Sequence, residues 1–340
     1  MAIDAAPKSI FSATVDLDAR GKHFGHIQIP FSRDDAAIGN VLVPLISIKN
    51  GDGPCLLLNA GTHGDEFEGQ IALRNLAHAL QVKDVSGQVI IVPSLNLPAV
   101  LSNARCSPID RLNINRVFPG KPTGSLTEKI ASFFLDELVS RADFVVDLHA
   151  GGTNYGCVCF GMMHRYAKAA TSRATLAMLK AFSAPFGVIF DTEPDRDGML
   201  DTAVEDRDKP FIAVELGSSR AVTPRSIAVT MRGVRNMLVH CGVAKGEITA
   251  GETPTQILGV PPAGFVAAED HGMFEPFVDL ADMVKPGDGI GQLHSIHRPD
   301  REPIVHRIKD GGRVVMRRMT GTTTHGDCLV VVGVPIDPGF

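Results

Sequence analysis

The run Asn59-Ala60-Gly61-Thr62-His63-Gly64-Asp65-Glu66 sets an imidazole and a carboxylate three residues apart, where the apolar strand Cys55-Leu56-Leu57-Leu58 turns toward a helix. Much later, Asp147-Leu148-His149-Ala150-Gly151-Gly152 puts a second imidazole at the end of another apolar strand, Phe144-Val145-Val146. Two His and one Glu supply three protein ligands for one Zn²⁺ per chain and leave a fourth position open, the pattern of a catalytic rather than a structural zinc. Gly61 and Gly64 suit a tight strand-to-helix turn, and Asp65 or Asp147 can orient an imidazole from behind. A His-x-x-Glu pair alone is a weak signal, because an acid is also favoured at any helix start. His149 at a second strand end is what gives the pair weight.

Zinc held by His63, Glu66 and His149 acidifies water and polarises a carbonyl. Hydrolysis then needs a carboxylate that takes a proton from water and passes it to a leaving amine. Glu215, which ends the apolar strand Phe211-Ile212-Ala213-Val214, is the candidate. Arg105, Arg111, Asn113, Asn115 and Arg116 crowd residues 105–120, a segment too polar and broken for a strand or a helix. Guanidinium and amide groups at this density suit recognition of a carboxylate, and an Arg can also stabilise an oxyanion.

The elements that must position these groups alternate. Strands are predicted at Gly25–Phe31, Val41–Ile48, Cys55–Asn59, Gln88–Pro93, Asp143–Leu148, Gly187–Phe190 and Phe211–Leu216. A helix is predicted over Phe67–Leu80 from apolar Phe67, Ile71, Leu76 and Leu80. Ser125-Leu126-Thr127-Glu128 is a capping box, and Thr223-Pro224 opens a helix that Gly242 ends. Alternation of this kind implies a mixed sheet flanked by helices, whose ligands collect at the carboxyl ends of the strands. After about Lys245 the chain changes to short Val/Ile/Leu runs between Pro- and Gly-rich turns. The expected division is therefore a catalytic α/β part over 1–246 and a small all-β part over 247–340.

The chain has 340 residues, 44% hydrophobic and 21% charged, with a net charge of −5. That length suggests about two domains, and the charge gives no basic footprint for nucleic acid or anionic membrane. The N-terminus lacks a signal-peptide pattern, and six Cys without framework spacing read as reduced thiols of a cytoplasmic protein. Cys157-Val158-Cys159 reads as strand rather than metal pair, because alternate residues of a strand point to opposite faces. Self-association is left open.

Taken together, these residues resemble the zinc carboxypeptidase superfamily and, within it, the succinylglutamate desuccinylase/aspartoacylase family. The matching pieces are Gly61-Thr62-His63-Gly64-Asp65-Glu66, Asn115-Arg116-Val117-Phe118-Pro119-Gly120, Asp147-Leu148-His149 and Val214-Glu215. The resemblance implies a zinc-carboxypeptidase-like sheet, zinc on His63, Glu66 and His149, and Glu215 as general base. It implies that Asn115-Arg116 holds a substrate α-carboxylate and that Arg105 polarises the amide carbonyl, with Arg111 competing for that last role.

His63-Gly64-Asp65-Glu66-Phe67-Glu68-Gly69-Gln70, Ser107-Pro108-Ile109-Asp110 and His149-Ala150-Gly151-Gly152 look like the branch containing the Nα-acetyl-L-2,4-diaminobutyrate deacetylases of ectoine breakdown. The implied reaction is removal of a small acyl group from an N-acyl amino acid, with diaminobutyrate and acetate as products. The loop Asp191-Thr192-Glu193-Pro194-Asp195-Arg196-Asp197 reads first as a solvated acidic loop, with the match of one of its acids to a cationic substrate side chain as the sharper alternative. Succinylglutamate, N-acetylaspartate or a peptide C-terminus are the enzymatic alternatives, though no second carboxylate-binding Arg is evident. A metal-binding protein without catalysis is the remaining one. Residues 272–291 resemble the lipoyl-like β-fold appended to this family, without a lysine-bearing turn for a swinging cofactor, so a cap or interface is expected there.

Overall fold

A computed structural model describes residues 11–191, 196–217 and 219–339. Strands Cys55–Ala60 and Phe144–His149 lie side by side and parallel, and almost every residue in them is buried. Continuous apolar runs of this kind belong to strands covered on both faces. Phe211–Glu215 pairs parallel with Phe144–His149 on the other side, and Gly87–Val92 pairs parallel with Cys55–Ala60. Two long antiparallel strands, Gly21–Pro30 and Asn40–Asn50, extend the sheet beyond Gly87–Val92. All seven predicted strands are present, with ends shifted by a few residues.

The period of two along each strand divides the core. Leu57, Ile90, Val145 and Ala213 pack beneath the helix Leu126–Phe133, its π-helical continuation Phe134–Val139, and the short helix Leu200–Glu205. Leu56, Leu58, Val146, Leu148, Ile212 and Val214 pack on the opposite face against helices Glu68–Ala79, Ala169–Phe182 and Pro224–His240. The same alternation carries Asn59, Asp147, His149 and Glu215 out on the first face, at the carboxyl ends of three adjacent parallel strands.

Local sequence explains the helix boundaries. Ser125 Oγ accepts from Glu128 N while Glu128 Oε2 accepts from Ser125 N. Thr223 and Ser226 repeat the arrangement ahead of Pro224–His240. In the helix Glu68–Ala79, the buried stripe is Ala72, Leu73, Leu76 and Ala77, whereas Ile71, predicted to face inward, is exposed. The helix starts one residue later than predicted, so His63 and Glu66 lie in the turn before it.

The sheet continues past the composition change near residue 246. Phe160–Met163 runs antiparallel beside Phe211–Glu215, followed by Phe186–Ile189 and Gln256–Gly259, both parallel to their predecessors. Cys328–Pro335 and Gly312–Arg318 then add antiparallel strands, and Tyr155–Cys157, from before the composition change, pairs with Gly312–Arg318. Gly272–Pro276, Gly289–His294, Ile304–Arg307 and Thr322–Thr323 form a separate antiparallel sheet. Among the described residues, no helix is long and apolar enough to cross a membrane.

Gly69 fixes how closely the first helix seats on the sheet. A Cβ there would stand 2.4 Å from Leu148 Cβ and 3.1 Å from Ala60 Cβ. Gly69→Ala should therefore cost about 1–3 kcal/mol as the helix start lifts, seen as a Tm lowered by several degrees in thermal unfolding. An unchanged Tm would show that this contact does not set the helix position.

Candidate active site

Both candidate imidazoles turn their Nδ1 atoms to one carboxylate. Glu66 Oε1 lies 2.8 Å from His63 Nδ1, and Glu66 Oε2 lies 2.8 Å from His149 Nδ1. The ligand atoms of the three residues all lie within 4.8 Å of one another, and all three side chains are buried. Each ring's other nitrogen is engaged behind it. His149 Nε2 meets Asp147 Oδ2 at 2.8 Å, and His63 Nε2 meets Asn113 Oδ1 at 3.2 Å. Asn115 N–H donates to that same Asn113 oxygen at 2.9 Å, which identifies it as an acceptor. With both Nε2 atoms donating, two imidazole lone pairs and a carboxylate converge on one point, and such a set calls for a cation.

The titration of these groups reflects the same demand. Burial pushes the Glu66 carboxyl upward, but His63 and His149 pull it well below the ordinary carboxylate range. Burial alone would lower His149, yet Asp147 and Glu66 raise it well above an ordinary imidazole. Burial dominates at His63 and lowers it. Two imidazoles and a carboxylate in three-point array suit a divalent metal, which takes the place of the His149 proton.

Backbone geometry aims the turn that carries the short pair. Gly61 adopts a positive φ of 71°, and a Cβ at Gly64 would fall 2.1 Å from the Ala99 carbonyl carbon. Gly64 N–H donates to Ala104 O at 3.0 Å, which fixes the turn against the Arg105 loop. Asp147 is held by Asn59 Nδ2 at 2.7 Å and Thr62 Oγ1 at 3.0 Å. Asp65 does something else: its Oδ2 accepts from Thr153 N and Oγ1 at 3.0 and 2.7 Å, tying down the loop after His149.

Glu215 stands beside His149 in register on the neighbouring parallel strand. Among the described residues no group hydrogen-bonds its buried Oε2, and the Cys157 thiol bonds to the carboxylate. Burial, reinforced by the charge of Glu66, raises the Glu215 carboxyl to about 7, against the opposing pull of His149 and Arg105. A carboxylate with that affinity for a proton suits transfer in both directions near neutral pH.

These groups line a cleft of about 250 Å³, together with Arg105, Asn115, Arg116, Asn154, Tyr155, Asp201 and Met316 among others. Arg105 Nη1 reaches to 3.3 Å from His63 Nδ1 and 3.6 Å from Glu66 Oε1. Asn115 Oδ1 accepts from Leu200 N at 2.8 Å, and Arg116 Nη1 donates to Asn115 O at 2.7 Å, so the pair sits in a braced turn at the rim. Asn113 faces His63 rather than the cleft. Arg111 is exposed, in a left-handed conformation with φ of 60°, and outside the lining.

Residues 192–195 of the acidic loop lie outside the described residues. Asp191 is exposed and pairs with Arg165. Sequence reasoning did not single out Asp201, Tyr155 or Met316. Each lies outside any motif, and Met316 reaches the cleft only because its strand pairs with Tyr155–Cys157.

Two substitutions test this geometry. Asp147→Asn should weaken metal binding about 10–100-fold in chelator competition, because it removes the charge behind His149. For Glu215, the folded pKa lies above the unfolded value near 4.3. Between these values the unfolded state holds fewer protons, so stability falls as pH rises from about 4.5 to 7. Glu215→Gln should therefore raise the Tm of metal-free protein at pH 8 and leave it little changed at pH 4.5. An equal gain at both pH values would remove the charge-burial cause.

The chain matches the family model described as succinylglutamate desuccinylase/aspartoacylase catalytic domain over residues 52–241. It is 40% identical to the N-alpha-acetyl-L-2,4-diaminobutyric acid deacetylase of Halomonas elongata, covering 97% of this chain and 96% of that protein. Among solved structures, the product-bound ectoine utilization protein EutE (DoeB) of Ruegeria pomeroyi superposes with a TM-score of 0.92 at 42% identity, covering 97% and 100% of the two chains. A succinylglutamate desuccinylase from Silicibacter sp. TM1040 gives 0.91 at 39% identity, with coverage of 97% and 100%. Site geometry and likeness along nearly the whole chain agree: this protein belongs to the succinylglutamate desuccinylase/aspartoacylase family of hydrolases.

Proposed function

We propose that this protein is a zinc-dependent deacylase that hydrolyses Nα-acetyl-L-2,4-diaminobutyrate to 2,4-diaminobutyrate and acetate. The observation that carries the hydrolytic reading is Glu215. A silent metal site has no need of a carboxylate raised to about 7 whose buried Oε2 has no hydrogen-bond partner among the described residues. The substrate is supported by the 40% identity, over almost the full length, to a deacetylase named for it.

His63, Glu66 and His149 would hold the zinc, since two His and one Glu form a familiar catalytic donor set. Zinc in that position supplies Lewis acidity, which acidifies water and polarises an amide carbonyl. The chain's own residues account for the remaining steps. Asn115 and Arg116, braced through Leu200, hold the α-carboxylate at the rim. Arg105, beside His63 and Glu66 with its side chain 40% exposed, stabilises charge developing on the carbonyl oxygen. Glu215 accepts a proton as water oxygen bonds to the acyl carbon. It then delivers that proton to the amide nitrogen as the C–N bond breaks, so acetate and the free amine leave. Asp147 keeps the His149 ring fixed throughout.

The test is acetate release by zinc-loaded protein from Nα-acetyl-L-2,4-diaminobutyrate, N-acetylaspartate and N-succinylglutamate. Turnover of the first should exceed that of the others, and chelation should abolish it. Glu215→Gln should lower kcat about 10²–10⁴-fold with metal content retained. Full activity in that variant removes Glu215 as base, and inertness of the wild type toward every acylamino acid favours a silent metal-binding protein.

A further inference from the structure

Among the described residues, four carboxylates line the cleft: Glu66, Asp147, Asp201 and Glu215. Three are accounted for, as ligand, as support for His149 and as base. Asp201 has no part in that chemistry, and it is only 8% exposed. It is the second residue of the helix Leu200–Glu205. Its Oδ1 accepts from Thr202 N at 2.6 Å, and its Oδ2 lies 3.9 Å from His164 Nδ1. The neighbouring acid, Glu205, is engaged by Arg196 and lies outside the cleft lining.

Two features place Asp201 relative to the substrate. The amide of Leu200, its direct neighbour, donates to Asn115 Oδ1 at 2.8 Å, which ties the segment carrying the acid to the candidate carboxylate clamp. The cleft it lines also carries apolar Met162, Met199, Leu200, Phe211 and Ala213. A charge–charge contact there is less screened than at an open surface. A molecule held by its carboxylate at Arg116 and by its amide near Glu215 presents its side chain to the remaining part of this small cleft.

We infer that Asp201 is a specificity-determining residue that receives a primary ammonium on a short substrate side chain, an assignment that rests on the deacylase reading above. The same carboxylate works against the alternatives. A side-chain carboxylate, as in N-acetylaspartate, would be brought into a poorly solvated space beside a like charge, and discrimination by repulsion is as effective as added attraction. An uncharged side chain of the same length avoids the desolvation of an ammonium but forgoes the ion pair with the buried Asp201 carboxylate.

The experiment compares kcat/KM of the zinc-loaded enzyme on Nα-acetyl-2,4-diaminobutyrate and on Nα-acetyl-2-aminobutyrate, which keeps the main-chain groups and lacks the amine. Wild type should prefer the cationic substrate by about 10–100-fold, the range of a hydrogen bond to a charged group. In Asp201→Asn the preference should fall toward one, chiefly through KM, and Asp201→Glu should restore part of it. A preference that survives in Asp201→Asn overturns the role of Asp201 and leaves the deacylase reading standing. A wild type that turns over neutral or acidic acylamino acids but not the cationic one overturns the substrate class and this assignment together. Competitive inhibition of wild type by 2,4-diaminobutyrate against 2-aminobutyrate gives a check independent of any variant's folding. The diamine should bind at least 10-fold more tightly, and equal inhibition constants would refute the ammonium site.

Discussion

Three electron-pair donors meet at one point in this structure, and the rest of the catalytic part is arranged so that they can. Glu66 sits within 2.8 Å of an Nδ1 atom from each of two imidazoles, and each imidazole is locked from behind through its Nε2. Left to relax in water, such groups would turn apart and hydrate. They are held by parallel register, which sets Asn59 beside Asp147 and His149 beside Glu215. They are also held by a turn drawn so close to Ala99 that Gly64 has no room for a side chain. A metal bound there returns part of this cost, because its binding free energy counts toward the folded state.

Much of that arrangement is legible in the sequence, and the reasons are physical. Strands buried on both faces leave unbroken runs such as Cys55–Leu58 and Phe144–Val146, and their ends announce where ligands collect. Ser125 with Glu128, and Thr223 with Pro224, mark helix starts because capping is a local interaction. The helix Ala169–Phe182 escapes this reading. Its N-cap, Lys168, makes no side-chain hydrogen bond, and its first turns hold small Ala, Thr and Ser residues rather than an apolar stripe. Tyr155–Cys157 escapes too, because a three-residue strand is defined by its partner, Gly312–Arg318, which lies far along the chain.

Ile71 and Asp201 show the same limit at single positions. A helical spacing admits Ile71 to the buried stripe, yet Ala72 and Leu73 occupy the inner face and Ile71 points outward. Small Ala residues sit inside because the helix packs close to the strands at Gly69, and that closeness is tertiary information. Asp201 resembles any acid in the first turn of a helix. What distinguishes it is burial beside the cleft, and burial depends on strand Phe211–Glu215 and the Asn115 turn closing over it.

The β-rich end of the chain meets the candidate site through packing. Cys157, Val158 and Phe160 from the catalytic part form one apolar cluster with Leu258, Val260, Val315 and Val331 from beyond residue 246. That cluster backs the strand from which the Cys157 thiol reaches Glu215, and Met316, in register with Cys157, closes the same side of the cleft. Tyr155 fastens the junction by donating to Cys328 O at 3.0 Å. A carboxyl raised to about 7 requires removal of water more than any one partner, since desolvation is the largest cause of its shift. Glu215 is interior to the sheet, between His149 and Phe160 in register, and the cluster around Val158 and Val331 covers the outer side of the neighbouring strand that carries Cys157. The later strands thus bear on the candidate site through packing: they bury the segment whose Cys157 thiol contacts Glu215 and whose partner residue Met316 lines the cleft.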